Sequence, residues 1–468
     1  MADQDKERRV LVLGGGVCGL MAALTLARKG VPVTVFEQAD QPGGLARGNR
    51  RGENFYDLGV HMLHAFDVEV YDTIKDLMGE ERIEVELDAK IRWGGSYYRY
   101  PLQFADMLRG MNPFTLMHCS AGLFLTQMLG KIFGVKEPVD AREALIQLYG
   151  KPLYRFFFEE FTERYWGIHP RDLSATFIKS KMPRLSAVDI IKRQLAKIGL
   201  KEKAGRSVES ALLQETLHYS RNGAEAMPRR LLEAVEAAGG EVRLGRTVEA
   251  VHLNDSGRAR AVTVRCPADG TEETVEGVAV ISTLPMPYLA KSLQPEAPED
   301  VMRAAGNLRF KAIAVYGLLV KKEKAIDALY IYYRRHVFHR VGEPKNAGLK
   351  VTPSDHTVLI VEMTCEEGDA KWRGDESILE RVYADLESEG ICTRDEVVET
   401  HILTCPTGYP IFDLGFEPSL ELVQNHIASV PNLRSVGRQG GFCYPNMHQA
   451  MRMGIDASEE IRVELDMD

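Results

Sequence analysis

After a polar start, Met1 to Arg9, the chain runs through the apolar tetrad Val10-Leu-Val-Leu13 into a cluster of glycines, then into an apolar stretch reaching Ala27. A short apolar run bounded by glycine predicts a buried strand, and the stretch behind it predicts a helix packed on that strand. Val31-Pro-Val-Thr-Val-Phe36 repeats the strand pattern and completes a βαβ unit. Val68 to Met78 has the apolar spacing of an amphipathic helix. Residues 80–104 read as strands, and Gly94-Gly95 predicts a hairpin turn among them. From about 105 to 200 the period is helical with few strand signals.

A helix over Arg229 to Ala238 is stopped by Gly239-Gly240. Two short strands flank Gly245, a hairpin turns at Asp255-Ser-Gly257, and a buried strand from Gly277 leaves through Pro285. Apolar runs beginning at Ala312, Leu329 and Val358 predict a second, sheet-rich region over about 300–400, with a helix from Ser377 to Glu387. A strand near Leu433 and a terminal helix complete the pattern. No repeat or low-complexity linker interrupts it.

At 468 residues, 45% hydrophobic and 27% charged, the chain is a globular protein large enough for two or more domains. A formal charge of −9 argues against nonspecific nucleic-acid binding, while leaving room for a locally basic pocket that holds an anionic small molecule. The seven cysteines form no CxxC pair, which fits a reducing compartment and supplies neither a disulfide framework nor a metal site. Cys18, inside the glycine cluster, reads as a small packing residue. The polar N-terminus carries no signal-peptide pattern, so a cytoplasmic location is expected. The longest apolar run, 113–133, is interrupted by His118, Gln127 and Lys131. It predicts a buried or half-buried helix, and membrane contact is not expected.

The chemistry starts at Gly14-x-Gly16-x-x-Gly19, placed between strand and helix as a dinucleotide-binding turn requires. Gly14 permits the turn, Gly16 lets backbone N–H groups approach a pyrophosphate, and Gly19 lets helix and strand close up. Glu37 ends the second strand, where a ribose hydroxyl needs an acceptor. A second turn, Gly43-Gly44-Leu-Ala-Arg47, follows directly. This pair of turns resembles the extended FAD signature of the flavoprotein superfamily that holds amine oxidases, protoporphyrinogen oxidase, phytoene desaturases and UDP-galactopyranose mutase. The resemblance implies FAD, with Gly43, Gly44 and Arg47 along its diphosphate. The expected fold is α/β: a Rossmann-type FAD-binding domain assembled from 1–78, 205–290 and 400–468, a mostly helical region over 79–204, and an antiparallel sheet-rich substrate region over 291–399.

Shorter motifs are most similar to those of UDP-galactopyranose mutase. They are Gly59-Val-His61-Met-Leu-His64-Ala-Phe-Asp67, Thr162-Glu-Arg-Tyr-Trp166-Gly, Arg340-Val-Gly-Glu-Pro-Lys345, Tyr409-Pro-Ile-Phe-Asp413, Gly437-Arg438 and Asn446-Met447-His448-Gln449. The likeness implies that His61, Val248, Gly437, Arg438, Met447 and Gln449 join the glycine turns around the flavin. It implies that Arg184, Arg340 and Tyr409 hold a substrate diphosphate, with His64, Trp166 and Lys345 also touching substrate. Arginine suits a diphosphate because its guanidinium binds two oxygens at once. One departure from the pattern is Met363, aligned where the mutase has a second diphosphate tyrosine. His61 and His64 could instead be structural histidines, and Trp166 a core residue.

Three readings follow. The first is a flavoenzyme acting on an activated sugar, with mutase chemistry at a reduced flavin. The second is a net oxidoreductase of the protoporphyrinogen oxidase or desaturase kind. The third is a flavin-bound structural protein, which the set of polar pocket residues disfavours. No metal-ligand constellation stands out, and a homodimer is left open.

Overall fold

The computed structural model describes residues 9–100, 103–181 and 216–465. Its centre is a five-stranded parallel sheet in the order 241–243, 33–36, 10–13, 279–282, 433–435. Val10 pairs with Val33 on one side and with Ala279 on the other, so the sheet joins segments far apart in the chain. The strands are apolar on both faces because both faces are covered. Helices Val17–Arg28, Ala226–Ala237 and Met447–Glu464 bury one face. Helices Met286–Ser292, Glu299–Asn307 and Glu417–Ala428, with a smaller sheet over 247–294, bury the other.

A seven-stranded sheet stands beside this unit, in the order 397–410, 310–320, 357–365, 340–342, 330–333, 89–93, 96–100. Its last two strands are the hairpin expected at Gly94-Gly95, where both glycines have positive φ (59° and 84°). The hairpin extends this sheet by pairing Ile91 with Tyr332 in parallel.

The two faces of the large sheet follow the period of two. Leu359, Val361, Met363 and Cys365 point toward helix Glu376–Ser388. Val358 and Ile360 point the other way, with Val315 and Leu403, against Tyr56, Leu58 and Tyr219 of the other half. The polar residues that interrupt the second face, Glu362 and Arg340, therefore lie between the two halves of the molecule.

Helix Pro113–Phe133 is the half-buried one of the two alternatives. Phe114, Phe124, Ile132 and Phe133 are each more than 60% exposed, while Cys119 is buried and Leu116 and Leu123 are partly buried against Tyr98, Leu153 and Phe157. Gly122 lies against Pro152 of the neighbouring helix, where an added Cβ would sit 2.5 Å from the proline ring, so the two helices approach closely there.

Candidate active site

The glycine turns are as tight as their sequence requires. Gly14 has φ +105°, and a Cβ there would stand 2.3 Å from Thr283 Oγ1. A Cβ on Gly19 would stand 2.1 Å from the Gly14 carbonyl oxygen. Gly16 and Gly43 form a parallel bridge, and a Cβ on Gly44 (φ +56°) would come within 3.3 Å of Gly16 Cα. The two turns thus make one side-chain-free cradle. It opens at the N-terminus of helix Val17–Arg28, where no side chain caps the first N–H groups. Such an end attracts phosphate. Glu37 is buried and accepts hydrogen bonds from the Gly15 N–H (2.7 Å) and the Ala39 N–H (2.9 Å). A carboxylate has lone pairs to spare for a ribose hydroxyl.

Gly437 (φ +82°) closes the same cradle from the C-terminal side, where a Cβ would meet Cys18 Sγ at 3.2 Å. Burial pushes the Cys18 thiol far up, so it stays neutral and acts as a packing group. Arg47 donates to the Thr404 carbonyl at 3.0 Å, pinning the second turn to the long strand 397–410. Val248 is buried in its hairpin, with its carbonyl accepting the Tyr288 hydroxyl at 2.6 Å. Gln449 accepts the Asn446 N–H at 2.8 Å in a capping box at the start of the terminal helix, whose first residue is Met447. That cap aims the helix N-terminus.

Beyond the cradle lies a polar cluster. Tyr332, Arg340 and Glu362 are direct neighbours on three adjacent strands, Arg340 pairing with both others in register. Its Nε and Nη2 donate to the two Glu362 oxygens at 2.8 and 2.6 Å, and Nη1 donates to Tyr332 Oη at 3.3 Å. Glu362 Oε1 also accepts the Val60 N–H at 3.1 Å, which ties the loop after Gly59 to the sheet.

His61 stands on that loop with its Nδ1 buried and without a partner. Burial, then the positive charges of Arg438 and Arg340, lower its pKa to about 3, so the imidazole is neutral near pH 7. Arg438 lies 4.8 Å over the Tyr444 ring and 5.8 Å over that of Tyr409, and donates to the Pro445 carbonyl. Tyr409 and Tyr444 stack with ring centroids 5.1 Å apart and an interplanar angle of 7°. Tyr165 joins them at 5.6 Å, and its other side meets His339.

The structure thus brings His61, Arg340, Tyr409 and Arg438 into one polar cluster, the candidate cleft, between the two halves. His64 sits at its margin, stacked on Phe66 and edge-on to His448. Trp166 is 2% exposed and packs on Phe177 behind Tyr409. Lys345 is elsewhere: its ammonium donates to the Ser354 and His356 carbonyls at 2.7 Å each. In the same motif Glu343 is fully buried and accepts the N–H groups of Ala325 and Ile326. Two residues of that motif therefore fasten loops, and Arg340 alone faces the cleft. Met363 belongs to the opposite face of its strand and is 1% exposed, so no tyrosine at that position could reach a cleft ligand. Arg184 lies outside the described residues.

Sequence reading passed over Glu362, Tyr332 and Tyr444. Glu362 carried a usable signal, a lone carboxylate inside the apolar run 357–365.

A backbone cradle ready for a pyrophosphate, a buried ribose acid, and an unpartnered imidazole nitrogen on the adjoining loop together fit FAD and define a dinucleotide-binding flavoprotein. The family model for flavin containing amine oxidoreductases matches residues 17–388, and the chain belongs to that family. It is an FAD-dependent enzyme. It is 28% identical over 335 residues to protoporphyrinogen oxidase of Homo sapiens, covering 66% of each protein. It is 23% identical over 176 residues to dTDP-fucopyranose mutase of Escherichia coli, covering 36% of this chain and 45% of that one. Both matches span less than two thirds of the relative's length. The solved structure of reduced UDP-galactopyranose mutase superposes with a TM-score of 0.80 at 18% identity, covering 98% of this chain and 94% of that one, which shows the shared fold. No helix among the described residues is long and apolar enough to cross a membrane.

Proposed function

We propose that this enzyme isomerises a nucleotide-activated sugar, by mutase-type chemistry with no net oxidation. The observation that carries the reading is the charge of the cleft. Two guanidiniums, Arg340 and Arg438, stand near the neutral His61; the single carboxylate Glu362 pairs with Arg340, and Arg438 lies over the Tyr409 and Tyr444 rings. That balance favours an anionic substrate, and a diphosphate is the leaving group such a site stabilises. FAD, bound in reduced form, would supply an electron-rich nitrogen able to attack an anomeric carbon.

The protein's own part is positioning. Gly14 to Gly19, Gly43, Gly44, Glu37 and Arg47 would hold the cofactor's diphosphate and ribose, with Val248, Gly437, Arg438, Met447 and Gln449 completing its surround. His61, neutral and with a free buried nitrogen, would exchange a hydrogen bond with the flavin. Glu362 fixes the Arg340 fork so that its remaining donors need no reorganisation as charge develops on the leaving group. Tyr409 would add a hydroxyl to that group, and Arg184 a second guanidinium.

A specific observation also favours a redox alternative. Tyr100 and Phe161 both pack on Tyr332 (ring centroids 5.7 and 6.0 Å), giving the cleft an aromatic wall suited to an apolar ring system. Anaerobic incubation with a nucleotide-sugar panel, with FAD oxidised or reduced by dithionite, separates the two. Isomerised sugar nucleotide in the reduced samples alone supports the mutase reading. Flavin bleaching by a substrate in the oxidised samples overturns it in favour of the oxidoreductase.

A further inference from the structure

Next to the polar cluster, across Tyr165 and His339, the structure holds a separate cavity of about 230 Å³. Phe161, Arg164 and Tyr165 of helix Glu159–Trp166 form one wall. The segment from Tyr333 to His339, Thr364 of strand 357–365 and Lys371 of the short helix after it form the other. Tyr165 packs on Tyr409 at 5.6 Å, and His339 Nε2 stands 3.9 Å from Glu362 Oε2, so these two residues divide the cavity from the cleft. No aspartate or glutamate lines it, in a chain whose net charge is −9. The acids around it are engaged elsewhere. Glu160 pairs with Arg334 (2.7 Å) and Arg335 (3.4 Å), and Glu366 pairs with Lys311. Asp369 accepts the N–H groups of Glu366 and Trp372, and Asp385 that of Val337.

Two cations of the wall have no such partner. Arg164 donates to the carbonyls of Arg334 and His336, Lys371 to that of Thr364 (3.2 Å), and neither makes an ion pair among the described residues. Burial lowers the Lys371 pKa; Asp369 opposes that shift, while Arg164 and Lys311 add to it. The His339 imidazole in the same wall is held neutral by burial and then by the charges of Arg340, Lys371 and Arg164. A concave site with two uncompensated cations favours a ligand that brings two negative charges. We propose that this cavity binds the phosphate group of a small molecule, with Arg164 and Lys371 as its donors. Both keep unused N–H groups after their carbonyl contacts, and a guanidinium meets two phosphate oxygens at once. Phe161 and Val337 give apolar area to whatever carries the phosphate. The site is independent of which reaction the cleft performs, and its occupant would sit beside the substrate.

The test is the thermal unfolding midpoint of the full-length, FAD-loaded protein as sodium phosphate replaces sodium chloride at constant ionic strength. The wild-type midpoint is expected to rise with phosphate, as mass action requires of a ligand that binds only the folded chain. Lys371→Gln should weaken the apparent phosphate affinity at least about tenfold, the loss of one charged hydrogen-bond donor. In chloride alone its midpoint should be unchanged or higher, because a cation beside Arg164 is gone. Arg164→Gln should weaken phosphate binding likewise. Arg340→Gln, a change in the cleft, should keep the phosphate response. A hexose 1-phosphate as second probe separates the sources: tighter binding than inorganic phosphate identifies a phosphorylated metabolite, and equal binding identifies free phosphate. No phosphate response in the wild type overturns the proposal. So does a response kept in Lys371→Gln and lost in Arg340→Gln, because the anion then sits in the cleft.

Discussion

Arg340 and Glu362 face each other across adjacent antiparallel strands and share two hydrogen bonds, at 2.8 and 2.6 Å, with the carboxylate side chain only 5% exposed. Removing one member of a buried pair leaves the other uncompensated. Glu362→Ala should therefore lower stability by about 3 kcal/mol, measured by denaturant unfolding of the holoenzyme. Glu362→Gln keeps one acceptor and should cost less, while lowering kcat more than it raises KM, because the Arg340 fork loses its fixed direction.

The cradle admits no side chain. Gly44→Val would force a branched side chain at positive φ against Gly16 Cα, 3.3 Å from the first added carbon. The variant should purify with roughly a tenth or less of the wild-type flavin per chain, a residue at such φ costing on the order of 1–3 kcal/mol before any clash. Absorbance of flavin against protein checks it.

His61 gives a pH signature. Unfolded, it titrates near 6.5, and folded, at about 3. A histidine held neutral by the fold contributes stability that is complete above pH 6.5 and is lost as pH falls toward 3. The stability difference between wild type and His61→Gln should shrink by about 1.4 kcal/mol per pH unit within that window. A difference independent of pH would show that the imidazole protonates in the folded state as readily as in water.

Lys345 separates fastening from binding. With its ammonium on two backbone carbonyls, Lys345→Met should cost about 1–3 kcal/mol of stability and leave KM within roughly twofold. A large rise in KM with unchanged stability would put the lysine in contact with substrate instead.

Much of the nucleotide-binding half was legible in the sequence. Its signals are local: strand, glycine turn, helix and acid occupy consecutive positions from Val10 to Glu37, and each glycine answers a steric demand that recurs wherever such a turn is built. The hairpin at Gly94-Gly95 was legible for the same reason. The cleft was legible only in part, because its residues are made neighbours by strand register. Glu362 meets Arg340 through pairing of strands 340–342 and 357–365, and a one-residue slip would have put Met363 there in its place. The motif Arg340 to Lys345 shows the same limit, since spacing along the chain cannot tell a residue facing the cleft from one fastening a loop. Helix 113–133 shows another. Its composition is that of a core helix, and only the folded structure shows that Leu116, Cys119 and Leu123 pack inward while Phe124 and Ile132 stay exposed.

The central parallel sheet has a consequence for how this protein comes into being. Strand Val10–Leu13 leaves the ribosome well before its neighbour Ala279–Ser282, which follows some 270 residues later, and the edge strand Leu433–Ser435 comes later still. The glycine turns must therefore wait, with their apolar strand unpaired on one side, until those partners have been translated. Such a nascent chain is exposed to misassembly for as long as translation lasts. Cofactor capture then becomes a late event in biogenesis, and truncation before residue 433 should yield chains that hold no flavin.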